Sequence, residues 1–185
     1  MRVIAGIARS LPLKAPRGMG TRPTTDRIKE TLFNMIQNEV PGAVFVDMFS
    51  GSGAIGIEAL SRGAVKCYFL EQDKEACTCI KENLKFTHFE EKAVLLSQDA
   101  FLSLNHIYEK DAAVIFMDPP YQLGYEERAL GILKNMKYVT QDTLIIVEAS
   151  LTTEFDYLDE MGYDIVKEKR YKTNKHIFIR LRRTA

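Results

Sequence analysis

The stretch Val44-Phe45-Val46-Asp47-Met48-Phe49-Ser50-Gly51-Ser52-Gly53-Ala54-Ile55-Gly56-Ile57-Glu58 decides the fold. It opens as a short apolar run, passes through a glycine-rich loop and continues as an apolar helical pattern. A strand that turns through glycines into a helix begins a βα unit of a parallel sheet. Gly51 and Gly53 lack a Cβ, so a flat or anionic ligand group can lie against the backbone there. Gly56 permits tight packing of the helix on the strand.

Working outward, apolar runs at residues 44–48, 65–70, 93–96, 112–117 and 144–147 are separated by longer amphipathic segments. Five strands alternating with helices of about 10–15 residues predict an α/β fold, with a parallel sheet covered on both faces. The end of the chain differs. Residues 163–171 and 176–181 are β-rich and joined by Lys172-Thr173-Asn174-Lys175, which predicts an antiparallel hairpin added to the sheet edge. At the start, Val3, Ile4, Ile7, Leu11 and Leu13 predict a short β-hairpin, followed by a Pro/Gly-rich loop over residues 16–23. Thr24 or Thr25 then caps a helix bearing Ile28, Leu32, Phe33, Met35 and Ile36, which stops before Pro41-Gly42.

At 185 residues and 46% apolar side chains, the chain fits one domain with its own core. No run approaches the roughly 18 apolar residues of a membrane span, and the one after Arg2 is too short for a signal peptide, so a cytoplasmic protein is expected. Cys67, Cys77 and Cys79 lack the paired spacing of a zinc site and read as reduced and structural; His88, His106 and His176 are scattered, and no metal is expected. Net charge is zero, yet residues 1–29 hold seven Lys/Arg against Asp26, and residues 161–185 hold eight against Asp164 and Glu168. Each end therefore carries +6 and the middle −12. If the two ends share a face, it is a basic patch suited to phosphates; otherwise they are solvated tails.

The glycine pattern with Glu71 at the end of the second strand fits a dinucleotide as readily as other adenosine cofactors. Asp47 shifts the balance, because a carboxylate just before the loop repels a pyrophosphate but organises the ammonium of an amino acid, directly or through water. The expected pocket for S-adenosyl-L-methionine comprises Asp47, Phe49, Ser50, Gly51, Gly53, Glu71, Gln72, Asp99 and Ala100. In it Glu71 receives the ribose hydroxyls and Asp99 the adenine amine. Asp99 taken singly reads equally well as a helix N-cap.

Asp118-Pro119-Pro120-Tyr121 directly follows the fourth strand. The prolines fix φ and remove two backbone donors, which leaves carbonyls and the Asp118 carboxylate as acceptors. An exocyclic amine on a base is a poor nucleophile, since its lone pair is delocalised into the ring. Accepting both of its hydrogens, one at Asp118 and one at the Pro119 carbonyl, pyramidalises the nitrogen, while Tyr121 offers a stacking face. A methyl sulfonium needs alignment more than a strong base. Rival readings are an NAD-dependent oxidoreductase, which leaves the tetrapeptide unexplained, and an RNA-binding assembly factor with a vestigial site.

These residues resemble class I, Rossmann-like methyltransferases that act on amino groups of nucleic-acid bases. With residues 21–34 (Thr-Arg-Pro-Thr-Thr-Asp-Arg-Ile-Lys-Glu-Thr-Leu-Phe-Asn), the loop at 49–53 and Glu58-Ala59-Leu60-Ser61-Arg62-Gly63-Ala64, the chain is similar to the RsmD family over nearly its whole length. The resemblance implies a guanine-N2 methyltransferase of 16S ribosomal RNA, acting on an assembled or assembling small subunit. It also implies a seven-stranded, mostly parallel sheet, with a single domain over residues 1–185 in which 1–23 form an appendage and 24–185 the core. By the same resemblance Arg22, Pro23 and Thr24 lie over the cofactor's amino-acid end or beside the target base. Ser50 stands where alanine is common. An adenine-N6 enzyme has the same tetrapeptide chemistry, and only the resemblance chooses guanine.

Overall fold

A computed structural model describes residues 1–16, 25–121 and 123–183. The seven strands are β1 (Val44–Met48), β2 (Lys66–Leu70), β3 (Ala93–Leu96), β4 (Val114–Met117), β5 (Leu144–Ser150), β6 (Tyr163–Arg170) and β7 (Asn174–Leu181), in sheet order β3-β2-β1-β4-β5-β7-β6. The first five pair in parallel, whereas β7 runs antiparallel to both β5 and β6. The α/β class, the five strands and the edge hairpin all stand as the sequence predicts. β5 extends three residues beyond the apolar run, through Glu148.

The core lies in two apolar layers. Phe45, Phe69, Phe116, Ile146 and Phe178 face one side, under α1 (Asp26–Met35), α2 (Ala54–Ser61) and α3 (Lys74–Thr87). Val46, Met48, Leu70, Ile115, Met117 and Val147 face the other, under α4 (Ala100–Ser103), α5 (Tyr125–Leu133) and α6 (Leu158–Met161). Alternate residues of each strand go to opposite layers because the side-chain period of a strand is two. Helix α1 starts where predicted: Thr25 is its N-cap, and its side chain accepts from the Ile28 amide.

The N-terminal hairpin is narrower than predicted. Its arms meet at one antiparallel bridge, Arg2 with Pro12. The amides that would extend the ladder go to α2 instead: Ile4 and Ala5 donate to the Glu58 carboxylate, Ile7 to the Ser61 carbonyl and Ala8 to Ser61 Oγ. Residues 1–14 are therefore a strap held by the helix, and Ile7 is left exposed.

The basic C-terminus does not gather at one face. Arg180, Arg182 and Arg183 lie at the end of β7 beside the start of β5, where they pair with Glu39, Asp142, Asp159 and Asp164. Lys172 and Lys175 sit at the other end of the hairpin. All three cysteines are free and buried. No described helix is long and apolar enough to cross a membrane, and the described residues hold no metal-ligand cluster.

Candidate active site

The chain leaves β1 toward β2 and β3 on one side and returns to β4 on the other, so the crevice between β1 and β4 is the topological switch point where open α/β sheets bind ligands. Met48 pairs with Met117 at the last rung. The loop holding Phe49 to Gly53 and the tetrapeptide at 118–121 therefore leave the sheet side by side.

The glycine loop is braced from three directions. Ser50 Oγ donates to the Asp47 carbonyl at 2.6 Å, the Ser50 amide donates to the Leu70 carbonyl, and the Gly51 amide donates to Glu71 Oε2 at 2.8 Å. Gly51 and Gly53 both have positive φ, and Phe49 adopts the same left-handed region at +59° despite its side chain. Such strain persists only where surroundings enforce it. Here the Phe49 ring stacks on Tyr125 and meets the edge of Phe101, and the Arg128 guanidinium lies 3.9 Å over Phe101. This wall joins the loops after β1, β3 and β4. Gly56 holds the helix close, as expected: a Cβ there would sit 2.4 Å from Phe69 Cε1.

Asp47 is 2% exposed and accepts from the Gly56 amide at 2.9 Å. Burial pushes its carboxyl up to about 8, the Gly56 bond opposes this, and the Glu71 charge adds to it. Glu71 closes β2; its Oε1 accepts from the Gln72 and Asp73 amides. Asp99 is the N-cap of α4, with Oδ1 accepting from Phe101 and Leu102, and Ala100 is buried behind it. The capping role is thus real, and it occupies only one of the two carboxylate oxygens.

Asp118 is partly covered, Pro119 buried, Pro120 exposed and Tyr121 40% exposed. Burial, then the Glu148 charge, then the Asp47 charge push the Asp118 carboxyl well above the usual carboxylate range, and among the described residues no hydrogen-bond donor opposes them. Burial also raises the Tyr121 hydroxyl, which faces Glu148. Arg22, Pro23 and Thr24 lie outside the described residues. Lys14, before them, is tied to Asn83, whose amide also holds the Ser52 carbonyl of the glycine loop.

The sequence reading missed Glu148 and its partners. Glu148 Oε1 accepts from Asn174, and Oε2 lies 3.0 Å from His176 Nε2. The signal was present: Glu148 directly follows the apolar run 144–147, as Glu71 follows 65–70 and Asp118 follows 112–117. Unlike Asp118 it has no motif after it, and unlike Glu71 no glycine loop on the preceding strand to pair with.

A family model described as Conserved hypothetical protein 95 matches residues 1–180. Ribosomal RNA small subunit methyltransferase D of Haemophilus influenzae is 35% identical over 173 residues, covering 91% of this chain and 88% of that one. The Escherichia coli protein of the same name is 33% identical over 153 residues, covering 82% and 75%. The solved structure of Escherichia coli yhhF, which bears a provisional methyltransferase name, matches with a TM-score of 0.85 at 29% identity over 98% of each chain. Matched across nearly its whole length, the chain belongs to the Conserved hypothetical protein 95 family, the RsmD family of methyltransferases.

Proposed function

We propose that the chain is an S-adenosyl-L-methionine-dependent methyltransferase acting on the exocyclic N2 amine of a guanine in 16S ribosomal RNA, within the small ribosomal subunit or its assembly intermediate, in the cytoplasm. One observation carries the reading: Asp118 is a largely desolvated acceptor with no donor among the described residues, set beside the glycine loop at the switch point. A partly desolvated acceptor left unpaired carries part of the desolvation cost. A ligand that brings N–H donors removes that cost.

The residues present fit the cofactor. Nothing stands within 4 Å of where a Cβ of Gly51 would be, which leaves room against the backbone. Glu71 Oε2 has one amide partner and keeps a second acceptor direction for ribose hydroxyls, and Asp99 keeps Oδ2 for an adenine amine. Asp47 is too buried to meet an ammonium openly and reaches it through water. Phe49, Ser50, Gly53, Gln72 and Ala100 complete the wall. When bound, the cofactor supplies a methyl group already activated on a sulfonium.

The chain's part is orientation and proton handling. Asp118 accepts one amine hydrogen, the Pro119 carbonyl accepts the other, and Pro120 fixes the turn. Tyr121, exposed enough to meet an unstacked base, stacks on it. With the cofactor bound, methylation would leave the amine nitrogen cationic and the S–C pair on sulfur; Asp118 would then take one N–H proton, and the N–H bonding pair would stay on nitrogen. Arg22, Pro23 and Thr24 contact the substrate by family resemblance alone.

The names of the curated relatives support RNA as substrate; guanine rests on the resemblance, and adenine N6 is the competitor. The test is labelling with tritiated cofactor, using small subunits stripped of the modification and, separately, duplex DNA. A nucleoside digest should release N2-methylguanosine from the subunit RNA. Labelled N6-methyladenosine, or equal labelling of DNA, overturns the assignment.

A further inference from the structure

On the side of Asp118 away from the glycine loop, a buried polar cluster has no part in the chemistry described so far. Glu148 is 6% exposed and His176 is fully buried, each in mid-sheet between apolar neighbours. They are cross-strand partners on β5 and β7. On the same face, Phe116 pairs with Ile146 and Ile146 with Phe178, so two residues further along each strand Asp118, Glu148 and His176 form a row. Asp47, paired with Phe116, lies on the same face of β1 but one row earlier, beside Phe116 and Ile146.

The hydrogen bonds run in one direction. His176 Nε2 lies against Glu148 Oε2, and His176 Nδ1 lies 3.3 Å from the Tyr171 hydroxyl. The tautomer with hydrogen on Nε2 satisfies both contacts: it donates to Glu148 and accepts from Tyr171. Asn174 donates its amide to the other Glu148 oxygen, and its own Oδ1 is buried without a partner. Such a carboxylate is immobile on two sides. Its charge acts on the Tyr121 hydroxyl, the Asp118 carboxyl and, behind the imidazole, the Tyr171 hydroxyl.

We propose that Glu148 is a positioning residue for the methyl transfer: clamped by Asn174 and His176, it anchors the Tyr121 hydroxyl and holds a negative charge against Asp118. This rests on the functional reading above. The charge makes Asp118 a stronger proton acceptor, which matters when the amine proton must leave the newly methylated nitrogen. The anchor restrains the ring on which the target base stacks. The groups facing Asp118 are Asp47 from β1, Glu148 from β5 and Tyr121 from its own loop; those facing Glu148 are Asp118, Tyr121, Asn174 and His176, with Tyr171 behind the imidazole. Glu126 of α5 also acts on Tyr121. Lys175 points to the opposite face, where its ammonium lies over the Phe155 ring, and does not neutralise the row.

The test is a carbon-13 carboxyl NMR titration of aspartate-labelled full-length protein, without RNA or cofactor, with Asp118 assigned by Asp118→Asn. In Glu148→Gln, which keeps an acceptor for Tyr121 but removes the charge, the Asp118 midpoint should fall by about one pH unit, a tenfold change in proton affinity. The Asp47 midpoint should move less, because Asp118 stands between. An Asp118 midpoint within about 0.3 unit of wild type overturns the proposal. Should the glutamine variant not fold, Glu148→Asp withdraws the charge by one methylene, and the same comparison decides with a smaller downward shift. In single-turnover labelling, the pH inflection of the rate should follow the NMR midpoint. Wild-type protein that labels no RNA defeats the functional reading and leaves these midpoints untouched, so the two failures are distinguishable.

Discussion

Asp47 Oδ2 accepts the Gly56 amide at 2.9 Å, so a carboxylate from the end of β1 satisfies one of the free N–H groups in the first turn of α2. Gly53, the N-cap of that helix, has no side chain to do this. The cap comes from the strand, and the loop between them is thereby closed. Because burial raises Asp47 to about 8, the folded protein holds a proton that the unfolded chain has lost between pH of about 4 and 8. Stability must therefore fall as pH rises through that window. Asp47→Asn keeps an acceptor for Gly56 and removes the fall. Urea unfolding should show the variant equal to wild type at pH 4 and more stable at pH 9, by at most about 6 kcal/mol at the linkage limit. A wild-type advantage at pH 9 would refute this.

The glycines of the loop separate a packing role from a binding role. Gly56→Ala drives a methyl into Phe69 and Cys67, at 2.4 and 2.7 Å, between a helix and a sheet that cannot easily part. It should cost about 1–3 kcal/mol and lower Tm in a thermal melt. Gly51→Ala meets open space and bears only the strain of φ +54°, about 1–2 kcal/mol. Its methyl instead enters the volume assigned to the cofactor. S-adenosylhomocysteine affinity, read by calorimetry, should drop at least tenfold in Gly51→Ala; equal affinity in the two variants would move the cofactor away from this loop.

Sheet order and crevice were readable because parallel strands buried on both faces leave continuous apolar runs, and acids at their carboxyl ends interrupt them. Asp47, Glu71 and Asp99 were found by that rule, and Asp118 by the tetrapeptide it opens. Glu148 obeys it too, but its partners Asn174 and His176 come from β7, whose antiparallel return is a long-range pairing with no local sequence mark. The strap was misjudged for a similar reason. Its apolar residues predict a ladder, whereas its amides bond to Glu58 and Ser61, more than 50 residues away. Periodicity reports which face is apolar, not where a backbone amide goes. Counting charges along the chain also does not say where they pair: Arg180, Arg182 and Arg183 bond to acids beside the start of β5, at the end of the strands opposite Asp118.

Asp118→Ala removes an acceptor that no internal contact needs. Stability should not fall, and because the raised carboxyl makes the wild type lose stability as pH climbs above the ordinary carboxylate range, the variant's relative stability should grow with pH. Labelling of RNA should drop at least a thousandfold, while S-adenosylhomocysteine affinity stays within a few-fold. Asp118→Asn, with one acceptor oxygen left, should retain more activity and lose the wild-type rise of rate with pH. Turnover unchanged in Asp118→Ala would remove the residue from the chemistry.

Glu58 holds the strap through four partners: the Ile4 and Ala5 amides, Arg62 Nε at 2.8 Å and Lys29 Nζ at 3.3 Å. Lys29 is almost as buried as Glu58, and burial lowers its ammonium from the usual lysine range while the Glu58 charge opposes this. Breaking such a pair from either side leaves a buried charge, but the two sides are unequal. Glu58→Ala orphans two amides and a lysine, whose other bonded acceptor among the described residues is the Arg2 carbonyl. Lys29→Met leaves Glu58 with Arg62 and both amides. The first should cost about 3–5 kcal/mol, and the second distinctly less. Hydrogen exchange at Ile4 and Ala5 should accelerate in Glu58→Ala well beyond the global change, because the strap detaches before the sheet opens. If the methionine variant proves as unstable, or if those amides exchange only through global unfolding, the ion pair rather than the strap contacts holds this part of the fold.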